Sequence, residues 1–239
     1  MPSTETVRRQ YLDAMGIALW ERRAPLPAVV AETPVAKFSE TVAPIVIAAP
    51  AGASPEWAAL EAAVRGCTKC SLHATRTQTV FGTGNRRAQW MFVGEAPGAD
   101  EDRQGEPFVG AAGQLLNAMI AALGLKREAV YIANVLKCRP PSNRDPQPGE
   151  VEQCEAHLIG QIELIQPKLI VALGRHAAHS LLKTDLALAK LRGQPHHYRN
   201  IPLVVTYHPA YLLRTPSDKR KAWEDLCRAR AMAHDVSTA

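Results

Sequence analysis

No stretch of this 239-residue chain approaches the roughly 20 apolar residues that a membrane-spanning helix requires. The longest apolar run, residues 43–51, is interrupted by Pro44 and Pro50, so a membrane partner is not expected. Also missing is a short apolar core followed by a small-residue cleavage site near the start, where Glu5, Arg8, Arg9 and Asp13 stand instead. A reducing, cytoplasmic setting is therefore expected, and there the five cysteines read as metal ligands, reactive thiols or packing rather than disulfides. No internal repeat is visible. What remains is 46% hydrophobic and 21% charged, enough for one sizeable core. The net charge of +5 is compatible with a polyanionic partner without requiring one.

The chain divides by composition. Val7, Tyr11, Leu12, Met15, Leu19 and Trp20 recur at near-helical spacing, which predicts an amphipathic helix within residues 1–23. Residues 24–55 hold six of the eighteen prolines, a composition that favours extended chain and predicts a flexible linker over residues 24–54. A single folded domain is expected over residues 55–239. It opens where Ser54 caps, Pro55 starts and Glu56 charges a helix carrying Trp57, Leu60 and Val64.

Within that domain, short apolar runs at residues 89–93, 130–136, 168–173 and 203–207 read as buried strands. Helical patterns over about residues 111–123, 150–165, 175–182 and 217–234 follow them in turn. Strands alternating with helices of this length predict an α/β fold, with a mostly parallel four-stranded sheet between two helical layers. Ligands of such sheets bind beyond the carboxyl ends of the strands.

Three of the strand-end loops are chemically unusual. After the first strand comes Gly94-Glu95-Ala96-Pro97-Gly98, then Asp100, Glu101 and Asp102, then Phe108 within a Gly/Pro-rich turn. Such a loop lets backbone amides approach a planar ligand and offers a ring for stacking, although a tight turn around a core phenylalanine would read the same way. Asn134 ends the second strand, either as a turn residue or as an amide able to read a base edge. His208, followed by Pro209, ends the last strand, either as a structural histidine or as a proton donor.

Cys67 and Cys70 form a close pair after the first helix, while Cys138 and Cys154 are widely spaced. A structural zinc site and an iron–sulfur cluster held by four thiolates compete for this set, and the wide second pair favours the cluster. Cys227 reads as an ordinary thiol.

Together, Cys67-x-x-Cys70, Gly94 to Gly98, Pro107 to Gly110 with Ala112-Gly113-Gln114-Leu115-Leu116, Asn134-x-x-Lys137-Cys138-Arg139-Pro140-Pro141 and His208 to Arg214 resemble the family 4 uracil-DNA glycosylases. These form the iron–sulfur branch of the uracil-DNA glycosylase superfamily, and the resemblance covers about residues 55–233. It implies a three-layer αβα fold, a 4Fe-4S cluster on Cys67, Cys70, Cys138 and Cys154, and removal of uracil from DNA to leave an abasic site. It further implies stacking by Phe108, base reading by Asn134, stabilisation of the uracil anion by His208, and help to water or the cationic sugar from Glu95. Gly94 and Ala96 would complete the base site through backbone amides. Leu212, Leu213 and Arg214 would fill the gap left by the base, with Arg214, Lys137, Arg139 and Arg144 near phosphates; ordinary helix-start packing and solvated charge are the alternative for this set.

One branch of the superfamily carries a histidine-bearing insertion after the asparagine that bonds to the sugar. The segment Lys137 to Pro141 stands here instead, and hydrolytic turnover is expected. A cytoplasmic monomer, associated with the bacterial nucleoid through its substrate, is expected. The resemblance stops short of residues 1–54; a protein partner for the N-terminal helix is expected instead from the tethering that the proline-rich linker suggests. Two alternatives stand beside the glycosylase reading: a non-catalytic iron–sulfur DNA-binding module, and a glycosylase of wider base range, since Ala96 leaves the pocket's width open.

Overall fold

The computed structural model describes residues 54–238, so the helix and linker expected before Ser54 lie outside the described residues. Helix α1 (Pro55–Arg65) begins as its residues dictate: Pro55 fills the first turn, and the Trp57 backbone N–H donates to Ser54 Oγ at 3.2 Å. Along the chain follow β1 (Thr83–Gly84), β2 (Trp90–Gly94), α2 (Ala99–Gln104), α3 (Ala111–Ala122), β3 (Tyr131–Asn134), α4 (Pro148–Ile165) and β4 (Leu169–Leu173). Then come α5 (Arg175–Leu182), α6 (Leu188–Leu191), β5 (His196–Tyr198), β6 (Ile201–Thr206), α7 (Pro209–Arg214) and α8 (Lys219–Thr238).

The sheet order is β1-β3-β2-β4-β6-β5. Its four central strands are parallel and correspond to the four expected; β1 and β5 pair antiparallel at the two edges and bring the sheet to six. The edge strands have two and three residues, too short for an alternation to show in the sequence.

Central strands are buried on both faces, and their residues divide between two cores. Met91, Val93, Ile170 and Ala172 pack with Trp57, Leu158, Ile162 and Leu181 from α1, α4 and α5. Trp90, Phe92, Val171 and Leu173 pack with Leu116, Ile120, Leu212 and Leu226 from α3, α7 and α8. This is the three-layer αβα sandwich, and it explains the uninterrupted apolar runs of the strands. Burying each such side chain contributes about 1.5–3 kcal/mol before the entropy of ordering is subtracted. Because β2, β3, β4 and β6 run the same way, their carboxyl ends share one edge. Gly94 and Asn134 lie there in register as neighbours.

Candidate functional site

A cavity of about 400 Å³ opens at that edge, lined by residues from all three unusual loops, among them Glu95, Ala96, Phe108, Asn134, His208 and Arg214. Gly94, at the end of β2, lies against two of its lining side chains. A Cβ there would lie 2.4 Å from Asn134 Oδ1 and 2.6 Å from Phe108 Cζ, so only glycine lets the amide and the ring converge on the strand end.

Phe108 is buried and held at φ 56°, a left-handed conformation that a bulky residue adopts only under constraint. Its surroundings supply that constraint. Glu101 Oε1 accepts from the backbone N–H of Val109 at 3.0 Å and of Gly110 at 3.2 Å, while Oε2 accepts from Gly98 N–H at 3.1 Å. Arg127 donates to the Pro107 carbonyl at 2.7 Å, and Gly113 admits the Phe108 carbonyl where a Cβ would stand 1.8 Å away. The acidic cluster of the first loop is thus largely architectural. Asp102, also buried, receives the Thr77 N–H at 3.0 Å.

Asn134 is 2% exposed, and its Oδ1 has no hydrogen-bond partner among the described residues. Leaving a buried acceptor unsatisfied costs about 1–3 kcal/mol, a cost that a ligand N–H placed in the cavity would remove.

His208 faces Phe108, with ring centroids 5.5 Å apart. The Ala210 backbone N–H donates to its Nδ1 at 3.1 Å, which leaves the proton of the neutral ring on Nε2. Burial, with the nearby Arg214 charge, pulls its pKa down to about 4. At neutral pH this is an uncharged donor. Behind it, Gly174 at φ +88° admits the His208 Cβ, which a side chain there would approach to 2.8 Å.

Glu95 carries the opposite perturbation. Burial, and then the negative charge of Asp145, raise its carboxyl to about 7, against a smaller lowering by Arg175. His176 Nε2 stands 3.9 Å from Glu95 Oε2 and 3.3 Å from Asp145 Oδ2. These three are the one group of potential metal ligands within 4.8 Å of one another among the described residues. The sequence reading missed both Asp145 and His176, and it also missed Asn143. Asn143 lines the cavity at φ 54° and accepts from Arg139 Nε at 2.7 Å. A run of polar residues after a proline pair was the available signal.

Two expected DNA contacts are corrected by burial. Lys137 is 1% exposed, its ammonium donating to the Asn134 carbonyl at 2.8 Å and Gln161 Oε1 at 2.6 Å, so no phosphate can reach it. Its role is to fix the backbone beneath Asn134. Leu212 is 1% exposed within the second core and cannot wedge into a duplex; its neighbour Leu213 is 43% exposed. Arg214 is exposed at the cavity rim, Arg139 is half-buried, and Arg144 donates to Glu150 Oε2 at 2.9 Å.

Cys67, Cys70, Cys138 and Cys154 line one small pocket behind the site, between α1, the loop after β3, and α4. Among the described residues their sulfurs form no group as close as 4.8 Å, whereas four thiolates on one zinc, at about 2.3 Å each, would stand closer than that. The pocket's donors suit a larger anionic group. Arg76 donates to Cys138 Sγ at 3.0 Å, the Lys137 backbone N–H donates to Cys154 Sγ at 3.3 Å, and buried His157 Nε2 has no partner among the described residues. N–H groups aimed at sulfur are how proteins stabilise iron–sulfur thiolates. The residues present fit such a cluster. Cys227, half-buried on α8, is not part of this group.

Comparison with known proteins gives a concordant result. The sequence model of the Uracil DNA glycosylase superfamily matches residues 81–227. The chain is 50% identical over 161 residues to a type-4 uracil-DNA glycosylase of Archaeoglobus fulgidus, covering 64% of this chain and 81% of that one. With the type-4 uracil-DNA glycosylase of Thermotoga maritima it shares 45% identity over 172 residues, 70% of this chain and 90% of the relative. The corresponding enzyme of Sulfurisphaera tokodaii is 45% identical over 179 residues, 71% and 81% of the two chains.

Proposed function

The chain belongs to the uracil DNA glycosylase superfamily, in its type-4 branch, and is a uracil-DNA glycosylase; from that membership we propose how its pocket reads and releases the base. Uracil inside a duplex is unreachable, so the nucleotide must be flipped out at a cost of about a few kcal/mol. The observation that carries the reading is the Oδ1 of Asn134, which has no partner among the described residues. Uracil N3–H supplies the missing donor, while cytosine presents a bare N3 there and would leave the amide mispaired. Phe108 stacks on the base, and the backbone of Gly94 to Ala96 closes its edge.

Breaking the glycosidic bond leaves negative charge on uracil O2 and positive charge on the sugar. Neutral His208, its proton on Nε2, donates to O2 without first having to lose or gain a proton. Glu95 as carboxylate stabilises the cationic sugar and takes the proton of the attacking water. With its carboxyl at about 7, the base is ionised only above that pH, whereas His208, at about 4, stays neutral throughout. The value of kcat/KM for uracil release should therefore rise as pH rises through about 7 and level off above it. A profile flat from pH 5 to 9 would remove Glu95 from the base role.

Cys67, Cys70, Cys138 and Cys154 would hold a 4Fe-4S cluster, whose contribution is to cross-link the Cys138–Cys154 segment to α1. Purified protein should carry iron and acid-labile sulfide in equal amounts, with both lost in Cys138→Ser. Iron without sulfide, or zinc, would refute that assignment. Exposed Leu213 and Arg214 are the elements that meet DNA beside the flipped nucleotide. The expected partner-binding helix within residues 1–23 enters this reading as a tethered docking element, tested by deleting residues 1–54 and measuring partner capture and cellular repair.

A further inference from the structure

A groove of about 660 Å³, larger than the base pocket, opens where α1 meets the edge strand β1. Glu61, Arg65, Arg76 and Arg86 line it, three guanidinium groups against one carboxylate among the described residues. Arg76 is committed by both arms, to Cys138 Sγ at 3.0 Å and to the Arg65 carbonyl at 3.2 Å, and so brings the groove its charge alone. Arg65 and Arg86 share Glu61, the first at 3.4 Å with its side chain 77% exposed, the second at 3.8 Å while lying over the Trp57 ring. Solvent-facing ion pairs of this kind are worth about 0–1 kcal/mol. A phosphate that accepts two parallel N–H bonds from one guanidinium is the stronger partner.

The groove continues the base pocket. Gly98 lines the pocket at the start of α2, while Gln104 and Gly105 line the groove at its end, a helix length of about 9 Å away. That is the rise of about three stacked nucleotides at 3.4 Å each. The acids of α2 are each engaged: Asp100 pairs with Arg103, Glu101 accepts from three backbone N–H groups, and buried Asp102 receives the Thr77 N–H. Gln78 Nε2 donates to the Arg103 carbonyl at 2.7 Å, an approach that Gly105 permits, since a Cβ there would stand 2.8 Å from Gln78 Oε1. This bond fixes the rim of the groove to α2.

Resting on the reading of the cavity at Phe108 and Asn134 as the base pocket, we infer that the groove is a second DNA subsite. It takes the sugar–phosphate backbone of the uracil-bearing strand beyond the flipped nucleotide, with Arg65 and Arg86 on its phosphates. Gln78 and Gln104, both exposed, supply amides along the way. Such groups hold a backbone without reading its sequence, which suits an enzyme that acts wherever uracil occurs. Glu61 limits the affinity, because its charge opposes the phosphates that its two arginines attract.

The test is affinity, measured against salt, for single strands carrying one 2′-fluorouridine, whose electron-withdrawing fluorine opposes the cationic sugar and keeps the base attached. The strands are lengthened one nucleotide at a time to either side, for wild type, Arg65→Gln, Arg86→Gln and Glu61→Gln, with thermal melting to confirm folding. Wild-type affinity should step up on one side only, once the strand reaches the groove. On long strands Arg65→Gln should bind on the order of fivefold more weakly and lower the slope of log affinity against log salt by about 0.7. Strands too short for the groove should bind it as they bind wild type. Arg86→Gln should behave alike, and exposed Arg65 keeps the test decisive if loss of the Trp57 contact unfolds that variant. Glu61→Gln should act in the opposite sense, tightening long strands on the order of threefold. Weaker binding of long strands by Glu61→Gln, or equal weakening of short and long strands by Arg65→Gln, would overturn the proposal, since the ion pairs would then only hold α1 in place. So would an affinity indifferent to strand length in a wild type that still releases uracil from ordinary substrate. A wild type that releases no uracil from any strand would overturn the base-pocket reading, and the proposal with it.

Discussion

Replacing His208 with alanine should slow uracil release from DNA by about a hundredfold to a thousandfold, on the order of 3 kcal/mol of transition-state stabilisation. The effect is expected to be this large because the donor is preorganised. Ala210 N–H fixes the ring's tautomer, Phe108 stands across from it, and Gly174 seats its Cβ. None of this must rearrange as charge builds on the base. Low basicity matters as well. On the proposed mechanism, a ring neutral down to about pH 4 would keep its Nε2 proton for the departing anion and would not oppose the cationic sugar. The loss should fall on the single-turnover rate at saturating enzyme, with DNA affinity nearly unchanged. A variant within threefold of wild type would show that the leaving group is stabilised elsewhere.

The second large effect concerns selectivity. Asn134→Asp should lower the preference for uracil over cytosine by at least about a hundredfold. Burial at this position, 2% exposed, would keep the new carboxyl protonated, and such a group presents one O–H donor and one acceptor in either order. In the proposed reading the native amide presents its oxygen beside Gly94, where it would accept from N3–H and refuse cytosine. The carboxyl can pair with both bases. Relative rates on matched uracil and cytosine substrates measure the change, and an unaltered ratio would contradict the proposed base reading.

How much of this was legible beforehand follows from what kind of fact each residue expresses. Gly94, Phe108, Asn134 and His208 announce themselves because strand ends followed by Gly, Pro or a lone polar residue are local patterns, and a parallel sheet brings those ends together. The assignment of Lys137 and Leu212 to DNA failed for the complementary reason. A lysine in a basic loop and a leucine after His-Pro look exposed in sequence, and only tertiary packing shows the ammonium bonded to Gln161 and Leu212 buried in the same core as Leu116. Asp145 and His176 were invisible as a pair because they come from different elements, the loop before α4 and the first turn of α5. Their meaning depends on the carboxyl of a third. The cysteines lie between these cases: the pair at Cys67 and Cys70 is readable, while the company of Arg76 and His157 is not.

The measurement that bears most directly on the central claim is strand scission by hot alkali on an oligonucleotide carrying one uracil, beside an otherwise identical cytosine strand, with wild type and His208→Ala. The account predicts breaks at the uracil position alone, appearing only after alkali, and falling steeply in the variant. Breaks at neither strand from iron-loaded protein, or equal breaks from wild type and variant, would contradict it.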